Sequence, residues 1–376
     1  MIRDPILLLF CGGMGGSPAE DAFAAVLREC ALDLLDEAVA SGVYAGQILV
    51  ADRETAEALE GRLPLHTEVD VDLPGQPFHL GQRLREVVSR YELMRPVYAG
   101  SGLPLIKRAD LSQVAAELRA SETAVVANNF FSADLLGFVP GDAVERVALP
   151  DNDRIIPRLL RDEAGLENRS LPRTVENQFD LDTPGDLAIL ACAGGAGPNL
   201  QRHIDLLDID TTRLVRASHL FTNRDAEVVV AGRVGTQTWQ YLESETACRV
   251  RLFAEERGLQ AAGRDLDGTA RSLLAFHLQS VGTKRFFEEL AQMGQAAFID
   301  TRPVFAHMGL KPSRPDRFLS DAMQPAGIQD AWVREFTEAA CEASIPVVLG
   351  GSTLVASGVQ LLSEAAWRRD DEAAGR

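Results

Sequence analysis

The sequence predicts two successive α/β domains, and three observations carry that reading. Near the N-terminus a buried-strand pattern at residues 6–10 runs through a glycine turn into a long helical pattern and a second strand pattern, the order of a βαβ unit. A glycine-rich break at residues 193–199 stops the alternation. From about residue 226 strand and helix patterns alternate again.

The elements follow in chain order. Residues 6–10 are an apolar run of strand length, residues 19–41 space their apolar side chains at helical intervals, and residues 47–51 make a second strand. Further strands are expected at 96–99, 123–127, 135–139, 146–149 and 179–181, with helices at 110–120 and 155–163. Thr183 as N-cap and Pro184 in the first turn start a helix over 184–192. Residues 1–195 thus make the first domain, and residues 196–225 a linker region with one or two short helices. The second domain, residues 226–367, has expected strands at 227–231, 249–254, 296–299 and 346–349. Its helices fall at 236–246, 269–281, 285–293, 331–343 and 353–365, a Rossmann-like layered arrangement. Residues 368–376 read as a frayed polar tail.

With 376 residues and 46% hydrophobic side chains, both domains can bury a core. The formal charge of -18 argues against a nonspecific grip on nucleic acid or anionic membrane, which needs a basic face. Lysine occurs only at Lys107, Lys284 and Lys311, so arginine, the better bidentate partner for phosphate or carboxylate, supplies nearly all the positive charge. Genomic base composition is the plainer reading of that bias. The five cysteines never form a C-x-x-C pair, which fits free thiols in a reducing compartment and argues against a zinc site or disulfide framework. No run reaches membrane-spanning length, so a soluble, cytoplasmic protein is expected, with a homo-oligomer left open.

Two patterns in the first half carry chemistry. Gly12, Gly13, Gly15 and Gly16 follow the first strand, at the end of an open sheet where ligands bind, and glycine lets backbone N–H groups approach phosphate oxygens. A purely structural tight turn reads equally well. Asp180 and Asp182 alternate along an expected strand and share one face, so two hard oxygen ligands stand ready for Mg2+. The other reading has Asp182 and Thr183 simply capping the next helix.

The glycine turn, then Gly102-Leu103-Pro104-Leu105 after a central strand, then Asp180-Leu181-Asp182-Thr183-Pro184 before a helix, resemble nucleotidyltransferases of the nucleotide-diphospho-sugar transferase fold. The pattern is similar to the molybdenum-cofactor and 2-phospholactate guanylyltransferases over residues 5–192. That resemblance implies a mixed sheet, NTP binding at residues 12–16, and Mg2+ held by catalytic Asp180 and Asp182. It also implies a small-molecule acceptor near Asn128 and Asn129, with nucleotidyl transfer releasing pyrophosphate. Two positions depart from the family pattern. No lysine or arginine lies between Gly12 and Phe23, leaving Arg28 as the first cation, and Gly102 stands where the family carries a metal-binding aspartate.

In the second half a strand runs into Gly232-Arg233-Val234-Gly235 and a helix, and Glu255 ends the next strand where a dinucleotide-binding acid would meet ribose hydroxyls. A plain helix-packing turn is the other reading. Gly351 and Ser352 open the last helix, and Arg233, Arg257 and Arg302 lie at strand ends, so an anion or cofactor site is expected there, unless the arginines merely pair with the many acids. His307 reads as a general base or as a packed side chain, and Asp316 and Asp321 as flanks of Arg317 in a proline-bearing loop. Three functions follow: an Mg2+-dependent nucleotidyltransferase-like enzyme, a catalytically degenerate nucleotide-binding or regulatory protein, or a cofactor-dependent enzyme with its site in the second domain.

Overall fold

The computed structural model describes residues 3–73, 75, 77–259 and 262–375. Eleven strands are described: β1 (Ile6–Cys11), β2 (Gly46–Ala51), β3 (Thr67–Val71), β4 (Pro96–Gly100), β5 (Ala124–Ala127), β6 (Leu135–Val139), β7 (Glu167–Ser170), β8 (Glu227–Gly232), β9 (Arg249–Ala254), β10 (Ala296–Asp300) and β11 (Val347–Gly350). The helices begin with α1 (Pro18–Ser41), α2 (Arg53–Ala58), α3 (Leu80–Arg90), α4 (Arg108–Arg119), α5 (Ile156–Asp162), α6 (Val175–Gln178), α7 (Pro184–Ala193) and α8 (Pro198–Leu206). They continue with α9 (Thr212–Ser218), α10 (Thr236–Glu245), α11 (Leu273–Val281), α12 (Thr283–Leu290), α13 (Arg302–His307), α14 (Arg314–Asp321), α15 (Ala331–Glu342) and α16 (Val359–Ala373). The chain divides into two compact units: residues 1–16, 21–180 and 196–205, and residues 17–20, 181–195 and 206–376.

The first unit is a seven-stranded mixed sheet in the order β3-β2-β1-β4-β6-β5-β7. β6 runs antiparallel to both its neighbours and the other pairs are parallel. β1 is apolar throughout because both its faces are covered. Ile6, Leu8 and Phe10 enter one core with Tyr98, Val125 and Phe138, whereas Leu7, Leu9 and Cys11 enter the opposite core with Val97, Val114 and Val126. This is the period-two alternation of a strand read directly in the packing.

Four expectations for the first half need correction. β3 and β7, with sequences Thr-Glu-Val-Asp-Val and Glu-Asn-Arg-Ser, escaped the sequence reading because they are the sheet's two edges and carry polar, exposed side chains. Residues 146–149 are not a strand: Arg85 donates to the carbonyls of Val144 and Val147, giving that backbone side-chain partners in place of a ladder. Residues 179–181 are not a strand either; Phe179 and Leu181 are buried, which mimics a strand's alternation, but the segment pairs with no strand. α7 belongs to the second unit, and α8, expected in the linker, belongs to the first, where the Asp33 carboxylate accepts from the backbone N–H groups of Asn199 and Leu200.

The second unit holds a four-stranded, all-parallel sheet in the order β11-β10-β8-β9. Its core joins Val229, Ala297 and Leu349 of the sheet to Leu278, Phe287 and Phe336 of the helices. Gly232 ends β8 at φ +132°, and a Cβ there would lie 2.3 Å from the Cβ of Asp300, so only glycine permits β8 and β10 to end side by side. The proline-bearing segment taken for a loop is α14: Ser313 caps it by accepting from the Asp316 N–H, and Pro315 sits in the first turn, where its missing N–H costs nothing. The expected frayed tail is helical through Ala373. Arg368 donates to the Ala193 carbonyl and Arg369 to the Cys192 carbonyl and the Ser218 hydroxyl, which ties the end of α16 down. No helix among the described residues is long and apolar enough to cross a membrane.

Candidate functional site

The strand order reverses between β1 and β4 in the first unit and between β8 and β10 in the second. Crevices form beyond the carboxyl ends of strands at such points. The glycine turn and Ser101-Gly102 leave the first point; Arg233 and Arg302 leave the second.

Gly13 and Gly16, both in the left-handed region, aim their N–H groups at carboxylates of the same unit: Gly13 N donates to Asp52 Oδ2 at 2.8 Å and Gly16 N to Asp21 Oδ1 at 3.2 Å. Gly12 lets Asp52 come this close, since a Cβ would lie 2.8 Å from Oδ2. The turn therefore receives oxyanions, and in this structure they are the chain's own. Asp52 also caps α2, accepting from Thr55 N at 2.8 Å. Arg28 is paired with Glu54 at 2.8 Å. Beneath the turn, burial pushes the Cys11 thiol up to about 11, which leaves it an unreactive core side chain.

A cleft of about 280 Å³ opens beside the turn. Gly13, Asp52 and Asp72 bound it at the carboxyl ends of β1, β2 and β3, and His79, Gln82, Arg83 and Glu86 at the start of α3. Leu73 and Phe78, 56% and 53% exposed, form an apolar rim. The wall is fixed by Arg83, which holds Asp70 and Asp72 at 2.7 Å each, while Arg90 also grips Asp70. Burial works to raise the Asp70 pKa, but the hydrogen bonds from Arg83 and Arg90 win and hold it below the usual carboxylate value.

Sequence reasoning missed a second polar group in this unit. Tyr98 of β4 is buried and donates to Asp153 Oδ2 at 3.0 Å, and burial, then the charges of Asp153, Asp134 and Asp180, push its phenol well above its ordinary value. Asp180 is thus one of three carboxylates whose charges act on one hydroxyl, and Asp153 is the one in hydrogen-bond contact with it. Only the antiparallel pairing of β6 with β4 brings Asp134 there, which no local pattern announces.

The boundary between the units falls immediately after Asp180, so Asp180 and Asp182 belong to different units and share no strand face. Asp182 is exposed, and its N–H donates to Asp186 Oδ2. Thr183, not Asp182, caps α7. Asn128 is 1% exposed and fully engaged: its amide donates to the Asn177 carbonyl and its oxygen accepts from Asn129 N and Leu135 N. It orders the loop after β5, and Asn129 accepts from Phe131 N and Arg173.

In the second unit the arginines meet carboxylates first. Arg233 grips the fully buried Asp300 through Nε at 2.6 Å and Nη2 at 3.1 Å. Arg302 donates its backbone N–H to Asp300 and its guanidinium to Thr301 and to both oxygens of Asp321. Gly351 lies against Arg302, 3.9 Å from its Nη2 by the direction of a Cβ, and Ser352 follows in the same turn. Gly235 caps α10 with Arg257 packed over it. Glu255 accepts from the Ser272 hydroxyl at 2.7 Å, at the start of α11. His307 Nδ1 accepts from Ser272 N at 2.9 Å, and its ring packs edge-on to Phe276. Burial and Arg271 lower its pKa. Asp316 accepts from Gln329 N and Asp330 N, a loop-holding role.

Asp186, buried in the first turn of α7, accepts from Asp182 N and the Thr183 hydroxyl. Burial, followed by the charges of Asp182 and Asp321, raises its pKa well above the usual value. A raised carboxyl pKa stabilises the fold fully below the unfolded value of about 3.9 and loses that contribution as pH climbs towards the folded value. Asp186→Asn keeps an acceptor and removes the charge. Its melting temperature, followed by tryptophan fluorescence, is expected to gain on the wild type as pH rises, by roughly 2–4 °C per kcal/mol relieved. A constant gap from acid to neutral pH would count against a buried, titrating Asp186.

No protein-family model and no curated protein matches this chain. Solved structures similar to about half of it include a Desulfovibrio desulfuricans G20 protein named as a nucleotide-diphospho-sugar transferase, 18% identical, covering 56% of this chain and 100% of that one at a TM-score of 0.41. A CMP:2-keto-3-deoxy-manno-octonic acid synthetase complexed with CTP is 12% identical, covering 49% of this chain and 95% of that one at a TM-score of 0.36. The Mycobacterium tuberculosis H37Rv protein Rv0371c, complexed with manganese, is 16% identical, covering 50% of this chain and 97% of that one at a TM-score of 0.34.

Proposed function

We propose that the first unit binds a nucleoside triphosphate with Mg2+ and transfers its nucleotidyl group to a small phosphorylated or anionic acceptor, releasing pyrophosphate. The observation that carries this reading is the cleft beyond β1, β2 and β3, which adjoins a glycine turn already holding oxyanions at the point where the strand order reverses. Its volume and apolar rim suit a nucleoside, and phosphate oxygens would take over the N–H groups now directed at Asp52 and Asp21. Among the described residues no three His, Cys, Asp or Glu side chains form a metal cage. Magnesium needs none, since it takes one or two carboxylates and completes its shell with water and substrate phosphates. Asp180 fits that donor set, and bound magnesium would neutralise charge on the phosphates.

A second reading, nucleotide binding without efficient transfer, is favoured by the same contacts. Glu54 neutralises Arg28, and Gly102 supplies no carboxylate beyond β4. A thermal-shift screen against the four NTPs, with and without magnesium, followed by a pyrophosphate-release assay, separates the two. The expected result is a magnesium-dependent shift with one NTP, reduced in Asp180→Asn, and pyrophosphate release. Binding without release would leave the second reading, and no shift with any NTP would remove both.

A further inference from the structure

Arg317 differs from Arg233 and Arg302, whose guanidinium groups grip carboxylates. Its guanidinium is half-buried on α14, and among the described residues its side-chain hydrogen bond goes from Nη1 to the Pro312 carbonyl at 3.1 Å. No carboxylate among the described residues comes within ion-pair distance of it. Asp321, on the same helix, has both oxygens taken by Arg302, and Asp182 acts on Arg317 only from beyond contact range. Arg314, three residues earlier and so on the same face of the helix, reaches Glu20 at 3.5 Å. A half-buried arginine with no carboxylate at ion-pair distance among the described residues has donors an anion can take, and its neighbours Arg302 and Arg314 add positive charge to the place.

From this convergence we infer that Arg317, with Arg314 and Arg302 beside it, receives a small oxyanion ligand, a phosphate or carboxylate group, beyond the carboxyl end of β10. Burial first, then the charge of Arg302, lowers the Arg317 pKa, with Arg314 adding to the effect and Asp321 and Asp182 opposing it. An oxyanion there relieves that repulsion and offers the fork-shaped guanidinium acceptors in bidentate geometry. The site is built by the second unit alone, so it stands or falls independently of nucleotide binding by the first.

The test is isothermal titration of the full chain with inorganic phosphate and, separately, with succinate at matched ionic strength. At least one of the two is expected to bind, and which one identifies the class of ligand. Arg317→Gln should weaken that binding by about tenfold or more, the share of one charge-assisted contact, with an unchanged far-UV spectrum. Arg317→Lys, which keeps charge and stem, should lie between and serves if the glutamine variant fails to fold. Failure of both ligands to bind the wild type, or equal affinity in the wild type and both variants, overturns the site.

Discussion

Replacing Asp300 with alanine is expected to cost the second unit about 3–5 kcal/mol. The side chain is 0% exposed and answers four donors: Arg233 Nε and Nη2, and the backbone N–H groups of Arg233 and Arg302. Alanine leaves a guanidinium and two backbone groups without that acceptor in a place water reaches poorly, and such orphaned groups incur their full desolvation cost. Asp300→Asn keeps the shape and one acceptor, so its loss should be smaller. All three tryptophans, Trp239, Trp332 and Trp367, lie in the second unit, so urea unfolding followed by tryptophan fluorescence reports on it directly. An unchanged midpoint in Asp300→Ala would mean that the Arg233–Asp300 pair does not hold the ends of β8 and β10.

The corresponding change in the first unit is Arg83→Met, with an expected loss of about 3 kcal/mol. Methionine keeps the apolar stem but leaves Asp70, 4% exposed, with Arg90 as its remaining ion-pair partner among the described residues, and releases Asp72 at the rim of the cleft. The pH dependence gives an independent handle. Because the Asp70 pKa is lowered in the fold, its contribution is present above the unfolded value of about 3.9 and is lost as pH falls through the folded value. Arg83→Met should therefore show less acid sensitivity than the wild type as well as lower stability at neutral pH. Hydrogen exchange of the β1, β2 and β3 amides measures both, and Arg83→Lys, with one donor centre for two carboxylates, should fall between. Equal protection in all three proteins would exclude Arg83 as the organiser of the cleft wall.

The residues that were legible in the sequence are those whose environment is local. β1, β2, β4, β5, β6, β8, β10 and β11 stand where apolar runs announce them, because a strand covered on both faces must be apolar along its length, whereas the edge strand β9 alternates Arg249 and Arg251 with Val250 and Leu252. The cap of Thr183 and the first-turn Pro184 marked α7 within its own few residues. The edge strands β3 and β7 carried no such signal. The segment at residues 146–149 gave a false one, since Arg85, 59 and 62 residues from the carbonyls it serves, decides that backbone's partners.

The candidate sites divide along the same line. Sequence alone determined that the chain alternates strand and helix in two rounds, that a glycine turn follows its first strand, and that acids and arginines crowd the strand ends of the second round. Those features depend on side-chain spacing and backbone freedom within a few residues. Tertiary structure decided which charges meet. It put Asp52 against the glycine turn, set Asp153 on the Tyr98 hydroxyl, gave Arg233 to Asp300 and Arg302 to Asp321, and left Arg317 with no carboxylate at ion-pair distance among the described residues. A charge's partner depends on strand order and helix packing across tens to hundreds of residues, and electrostatic energy falls with distance in space, not along the chain.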